Sequence, residues 1–245
     1  MRRLLVAAAV LSVGYAVPGA AAVIIHPNGS ATITTDEAGS FKVITTGTQA
    51  DPGPDLAGLK GSILFELIGG FNTNELTFRY TLQNLSTLNN LGSSIAAFGF
   101  NVAPDASLDV LSGPFSEGPY KDGLAKGNFS GLGQREFCLY DGSNCNGGGN
   151  EGVFVNTPAN ALDPNKMLVA IGTFKLTYGN PAPAAITFSD FATRWQRVGI
   201  NQNQSASGIG MAIPEPSQWA MLIAGFAIVG GAMRARRRRR DMALA

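Results

Sequence analysis

The sequence predicts an all-β body: a single antiparallel β-sandwich over residues 23–200, with a jelly-roll arrangement as one way of connecting it. Three observations point there. Apolar residues recur at every second position in several short runs. No long stretch of this body repeats them at helical spacing. Between the runs stand clusters of Gly, Pro, Asn and Asp. Successive side chains of a strand point to opposite faces, so a period of two means one buried face and one wet face. Strands with one apolar face bury it most economically against a second sheet.

In chain order, residues 1–22 read as a secretory signal. Arg2 and Arg3 form the positive end, 4–17 the apolar run, and Gly19-Ala20-Ala21-Ala22 the small-residue cleavage site, with the cut expected after Ala22. Candidate strands follow at 31–35, 41–46 and 63–68. The clearest is 75–83, where Leu76, Phe78, Tyr80 and Leu82 face one way and Thr77, Arg79, Thr81 and Gln83 the other. Ala96, Phe98, Phe100 and Val102 alternate likewise. So do Phe174, Leu176 and Tyr178, with Lys175 and Thr177 outward. Further runs are 184–188 and 193–200, the latter holding Trp195 as a core or rim residue. Turn signals separate them at Asp51-Pro52-Gly53-Pro54, Gly69-Gly70, Asn89-Asn90, Ser112-Gly113-Pro114, Asp122-Gly123 and Asn180-Pro181. Residues 201–213, rich in Asn, Gln and Ser, read as a polar linker.

Residues 214–240 have another character. Pro214-Glu215-Pro216 is a stiff collar, since each proline fixes its own φ and restricts its neighbour. From Ser217 to Met233 run 17 residues without formal charge, close to the shortest helix that crosses a bilayer. Arg234, Arg236, Arg237, Arg238, Arg239 and Arg240 then form a basic stop that holds its end in the cytoplasm, so the body belongs on the other side of the membrane. Residues 241–245 are a short tail.

The charge balance agrees. The chain carries +1 overall, but 8 of its 18 basic residues lie in the two terminal segments. Between 23 and 213 there are 10 basic and 15 acidic residues, a net of −5. That body has no basic run, which excludes nucleic acid as a partner.

At the collar the chain resembles a known sorting device. Pro214-Glu215-Pro216, Trp219-Ala220, the run Met221-Leu222-Ile223-Ala224-Gly225-Phe226, Gly230 and the arginines resemble the PEP-CTERM protein-sorting signal in its PEPxxWA variant, over the last 32 residues. The resemblance implies a Gram-negative host and processing by an exosortase, a membrane-embedded cysteine-dependent enzyme that cuts near the Pro-Glu-Pro. It further implies transient anchoring in the inner membrane with the body in the periplasm, delivery to the cell surface or extracellular matrix, and an association with exopolysaccharide and biofilm. Phe98-Gly99-Phe100, Cys138, Cys145 and the Gly-rich run to Gly152-Val153 are similar to the ectodomains of the cistern family of PEP-CTERM proteins, a likeness that implies no enzymatic activity.

Few residues offer chemistry. Cys138 and Cys145 are the only cysteines, and in an exported chain they are expected to form a disulfide, with a hairpin at Asp141-Gly142 bringing the sulfurs together. A metal or redox role has no histidine nearby to support it. Asp141, Asn144, Asn146, Asn150 and Glu151 offer oxygen ligands for Ca²⁺ but match no EF-hand spacing. His26 is the only histidine, so a Ser-His-Asp triad would have to use it. No local pattern favours a carboxylate pair for glycoside hydrolysis. Asn28-Gly29-Ser30, Asn84-Leu85-Ser86, Asn128-Phe129-Ser130 and Asn203-Gln204-Ser205 fit the N-glycosylation pattern, although an Asn- and Ser-rich chain meets it by chance. Tyr120, Tyr140 and Trp195 are candidates for stacking on sugars, with the core as their ordinary place.

The expectation is a non-enzymatic surface or matrix protein without a cofactor, handled by signal peptidase and exosortase. The alternatives are a carbohydrate-binding module with a defined sugar site and a secreted polysaccharide-processing enzyme.

Overall fold

A computed structural model of the chain describes residues 23–51, 58–87, 92–111, 122–141, 144–146, 152–163 and 166–213. The expected signal peptide with Ala22, the sorting motif, the apolar run and the arginine cluster lie outside the described residues. No helix among the described residues is long and apolar enough to cross a membrane.

The described chain is almost entirely antiparallel β. Its strands are β1 (Val23–Ile25), β2 (Ala31–Thr34), β3 (Gly39–Asp51), β4 (Lys60–Gly69), β5 (Glu75–Asn84), β6 (Ser94–Ala103), β7 (Ser107–Leu111), β8 (Asp122–Phe129), β9 (Gly133–Tyr140), β10 (Val153–Phe154), β11 (Val169–Thr177), β12 (Ala185–Val198) and β13 (Gln204–Ile213). One short helix, α1 (Pro158–Ala161), is capped by the Thr157 side chain.

Hydrogen bonds join these strands into one curled sheet, in the order β7-β11-β5-β4-β3-β13-β12-β6-β9-β8, with β1-β2 added to β12 and β10 to β6. The β4–β5 hairpin follows from sequence in an elementary way. Gly70 takes φ 77° and Asn72 φ 58° in its turn, and a Cβ on Gly70 would run into the Glu75 carbonyl. The strands then pair Phe65 with Tyr80 and Glu66 with Arg79.

The curl closes over an aromatic interior. Phe65 of β4 lies 5.4 Å from Phe100 of β6 and 5.5 Å from Phe188 of β12. Phe78 of β5 meets Phe188 at 5.2 Å, and Phe174 of β11 meets Phe100 at 5.6 Å. None of these pairs is on adjacent strands, so the two halves of the sheet face each other across the rings. Trp195 is wholly buried, which places it in the core rather than on a sugar-binding rim.

A smaller core lies on the other face of β6, β9 and β12, built from Ala97, Phe129, Cys138, Tyr140, Cys145 and Ala192. β6 is therefore covered on both faces, and it carries Ala96, Ala97 and Gly99 where space is short.

Three expectations are corrected. Residues 204–213 are not a linker but β13, a central strand paired with β3 and β12. Its inward residues are small because Trp195 occupies the room: a Cβ on Gly208 would meet the indole ring at 2.5 Å. The runs at 184–188 and 193–200 are one strand, β12, kinked by a bulge between Ser189 and Ala192 where Asp190 takes φ 51°. Asp122-Gly123 is not a turn, since both residues pair with β9 at Tyr140 and Leu139.

β13 supplies its own test. Gly208→Val should lower unfolding stability by about 1–3 kcal/mol, the usual penalty for an overfilled core, as read by urea denaturation. A linker residue would tolerate the change, so an unaltered midpoint would contradict the strand assignment.

Candidate functional site

Of the residues singled out for chemistry, Cys138, Asp141, Asn144, Cys145 and Asn146 lie together at the disulfide loop. Cys138 sits on β9 between β6 and β8, where it pairs with Gly99 and Leu124. Cys145 lies in a turn beyond the end of that strand and folds back to form the Cys138–Cys145 bond, with Cα atoms 6.2 Å apart. The expected disulfide is present. The expected hairpin is not its cause, because β9 pairs with β6 and β8 and Cys145 belongs to no strand. Both cysteines are buried. Gly127 of β8 makes room for them, since a Cβ there would lie 2.5 Å from Cys145 Sγ. A buried disulfide beside a close-packed glycine is a staple and offers no surface for thiol exchange.

Arg194 ties this loop down. Its Nε donates to the Asn146 carbonyl at 2.9 Å, Nη1 to Ser207 Oγ at 3.0 Å and Nη2 to Ser205 Oγ at 2.5 Å. One guanidinium thus straps the turn across β12 and β13. The Arg194 strap was not legible in the sequence. Its signal, an arginine beside Trp195 followed by Ser205 and Ser207 two apart, becomes readable only once 204–213 is known to be a strand.

The strap bears on calcium. Asn146 already presents its carbonyl to a cation, and its N–H donates to Asn144 Oδ1 at 2.9 Å in a local turn. Asp141 is buried at the end of β9. Asn150 and Glu151 lie outside the described residues. Among the described residues no group of three or more His, Cys, Asp or Glu could hold a metal ion. The described part of the loop is thus organised around a guanidinium.

Among the described residues His26 bonds a threonine hydroxyl. Its Nε2 is 2.8 Å from Thr32 Oγ1, which is 2.8 Å from Thr187 Oγ1, a hydroxyl chain across β2 and β12. The glycosylation patterns separate. Asn84 is buried, donating to the carbonyls of Ser93 and Val153 and accepting from the Ser86 N–H. Asn128 and Asn203 are exposed, and Asn28 accepts from the N–H and hydroxyl of Ser30. Among the described aromatic residues Phe71 alone is exposed, Tyr140 is buried, and Tyr120 lies outside them.

Two phenols, Tyr80 and Tyr178, lie in the main core. Burial holds the Tyr80 hydroxyl well above the usual phenol range. Burial does the same to Tyr178, and the negative charge of Glu136 adds to it. Tyr178 Oη has no hydrogen-bond partner among the described residues. On the outer face, Glu66 accepts from Arg79 Nε and Nη2, both at 2.7 Å, which raises the guanidinium pKa. Glu66 and Arg79 line an open, shallow depression beside Ser40 and Leu67, whereas Tyr80 and Tyr178 lie inside the core.

Compared with known protein families, curated proteins and solved structures, the chain matches none. The likeness to PEP-CTERM and cistern proteins rests on the residues quoted for it.

Reducing the disulfide, or replacing both cysteines with serine, should cost about 2–3 kcal/mol on the chain-entropy argument for so small a ring, measured as a shift of the urea midpoint with and without reductant. The phenols predict an alkaline weakness. A raised pKa means that the folded state keeps its proton after the unfolded chain has lost it. Stability is therefore intact below the unfolded value of about 10 and falls as pH rises past it. Tyr178→Phe should lose less melting temperature than wild type on going from about pH 9 to 11, with near-equal stability at pH 7.

Proposed function

We propose that the chain is an exported, non-enzymatic surface or extracellular-matrix protein of a Gram-negative bacterium. In this reading signal peptidase cuts after Ala22, the inner membrane holds the tail for a time, and an exosortase removes it. The processed body is associated with exopolysaccharide. The observation that carries the reading is the fixed order of collar, apolar run and arginine cluster: Pro214-Glu215-Pro216, Trp219-Ala220 and the run to Met233, then Arg234 and Arg236 to Arg240.

The body supports it in two ways. The curled sheet serves as a β-sandwich, with the rings of β3, β4, β5 and β11 meeting those of β6 and β12. Among the described residues every large aromatic side chain but Phe71 is placed inside, where it stabilises the scaffold. The disulfide suits an oxidising compartment.

Glu215→Ala is the test. In the native host, the variant should keep its tail, and mass spectrometry of the surface fraction should find residues beyond 216 still attached. Wild type should appear as a shorter species that begins near Val23, ends near the collar and lacks the two protons of a reduced cysteine pair. A mature C-terminus that is the same in both proteins would contradict recognition of the motif.

A further inference from the structure

The outer face of the sheet is not uniform. On β4, β5, β7 and β11 it is laced with charge: Glu66 pairs with Arg79 at 2.7 Å, and Lys175 lies 3.4 Å from Glu75 and 3.9 Å from Asp109. On β13 it is divided. The half with Ser205 and Ser207 lies under the disulfide loop and its Arg194 strap. The other half presents Ile209, Met211 and Ile213, which are 47%, 51% and 38% exposed. Ile44 of β3 stands opposite Met211, and Lys42, the partner of Ile213, stands opposite Leu64 of β4. Lys60 faces out beside Thr46, the partner of Ile209.

The turn between β1 and β2 borders this half, with Gly29 against Met211 and accepting from the Ala212 N–H at 2.8 Å, and in sequence the strand leads directly to the collar. From Ile213 to Ser217, where the apolar run begins, there are four residue steps, a reach of at most roughly 14 Å. The headgroup layer adds roughly 5–8 Å on each side of the hydrocarbon. A tail inserted from Ser217 onward therefore holds the end of β13 within or just above the headgroups.

We propose that this face of β13 and β3 lies on the bilayer that anchors the tail. Ile209, Met211 and Ile213 enter the interfacial layer, and Lys42 and Lys60 turn toward lipid phosphates. The inference rests on the anchored state described under the proposed function. It goes further, because the body is then apposed to the lipid and does not hang from a flexible stalk. The apolar residues are matched to the interface by position, and the lysines by charge.

The full chain reconstituted in phosphatidylcholine–phosphatidylglycerol vesicles tests this. Nitroxide labels are placed singly at Ile209→Cys, Met211→Cys, Leu162→Cys and Ile223→Cys. The native cysteines are tied in their disulfide and do not react. Leu162 is 85% exposed beside α1 and serves as the water-facing control. The ratio of accessibility to oxygen over a water-soluble nickel chelate should be several-fold higher at 209 and 211 than at 162. Ratios at 209 and 211 equal to that at 162, with 223 in lipid, would overturn the proposal and leave the anchor standing. Shielding of 209 and 211 from both reagents would also overturn it, because protein would then cover the face; spin–spin broadening would identify a second copy, and its absence the chain's own tail. A label at 223 exposed to water would remove the anchor and the proposal together.

Discussion

Phe65 is the point on which the fold turns. Its ring touches Phe41 on the neighbouring strand and Phe174 two strands away, and it also reaches Phe98, Phe100, Phe188 and Phe191 on the opposite half of the curl. A sheet with one apolar face has no reason to stay flat when that face can meet itself. Each aromatic side chain removed from water contributes a few kcal/mol, and tilted or edge-on ring pairs add to it. The curl is the geometry that lets rings from both halves share one interior.

That interior decided which elements were legible. β5 alternates large apolar with polar residues, because one face meets the rings and the other meets water; the second half of β11 does the same, while β4 alternates in burial with Leu64 and Ile68 on its outer face. β9 does not alternate, since Phe137 and Leu139 serve the main core while Cys138 and Tyr140 serve the small one. β13 escaped for the opposite reason. Ala206, Gly208 and Ala212 are small, and the volume facing them is filled by Trp195 and by Phe191, which sits 2.8 Å from a Cβ on Gly210. A strand whose partner supplies the bulk looks like a linker when read alone. The disulfide was legible from two cysteines once the chain was read as exported, whereas Arg194 was not, because its partners are distant hydroxyls and a loop carbonyl.

The small core and the strap have a common purpose. They cover the outer faces of β6, β9 and β12 with a loop whose described residues, 144–146, lie at a turn. The disulfide limits how far that segment can move, and the guanidinium supplies hydrogen bonds to groups that would otherwise lose water. What remains uncovered on β13 is continuous with the chain leading to the collar.

The place of β13 also bears on when the body can form. It is the last of the described strands, yet it stands in the middle of the sheet, between β3 near the start and β12. Until residues 204–213 arrive, β3 and β12 lack the neighbour that joins them, and the two halves of the curl meet along their other side through Asn84 and its contacts with Ser93, Val153 and Val155. Pairing across such a span of chain is slow, because the loop must close before the contacts reward it. A nascent chain halted short of Gln204 would lack the strand that joins β3 to β12, so the closing of the sheet waits on a segment about 150 residues beyond its partner β3.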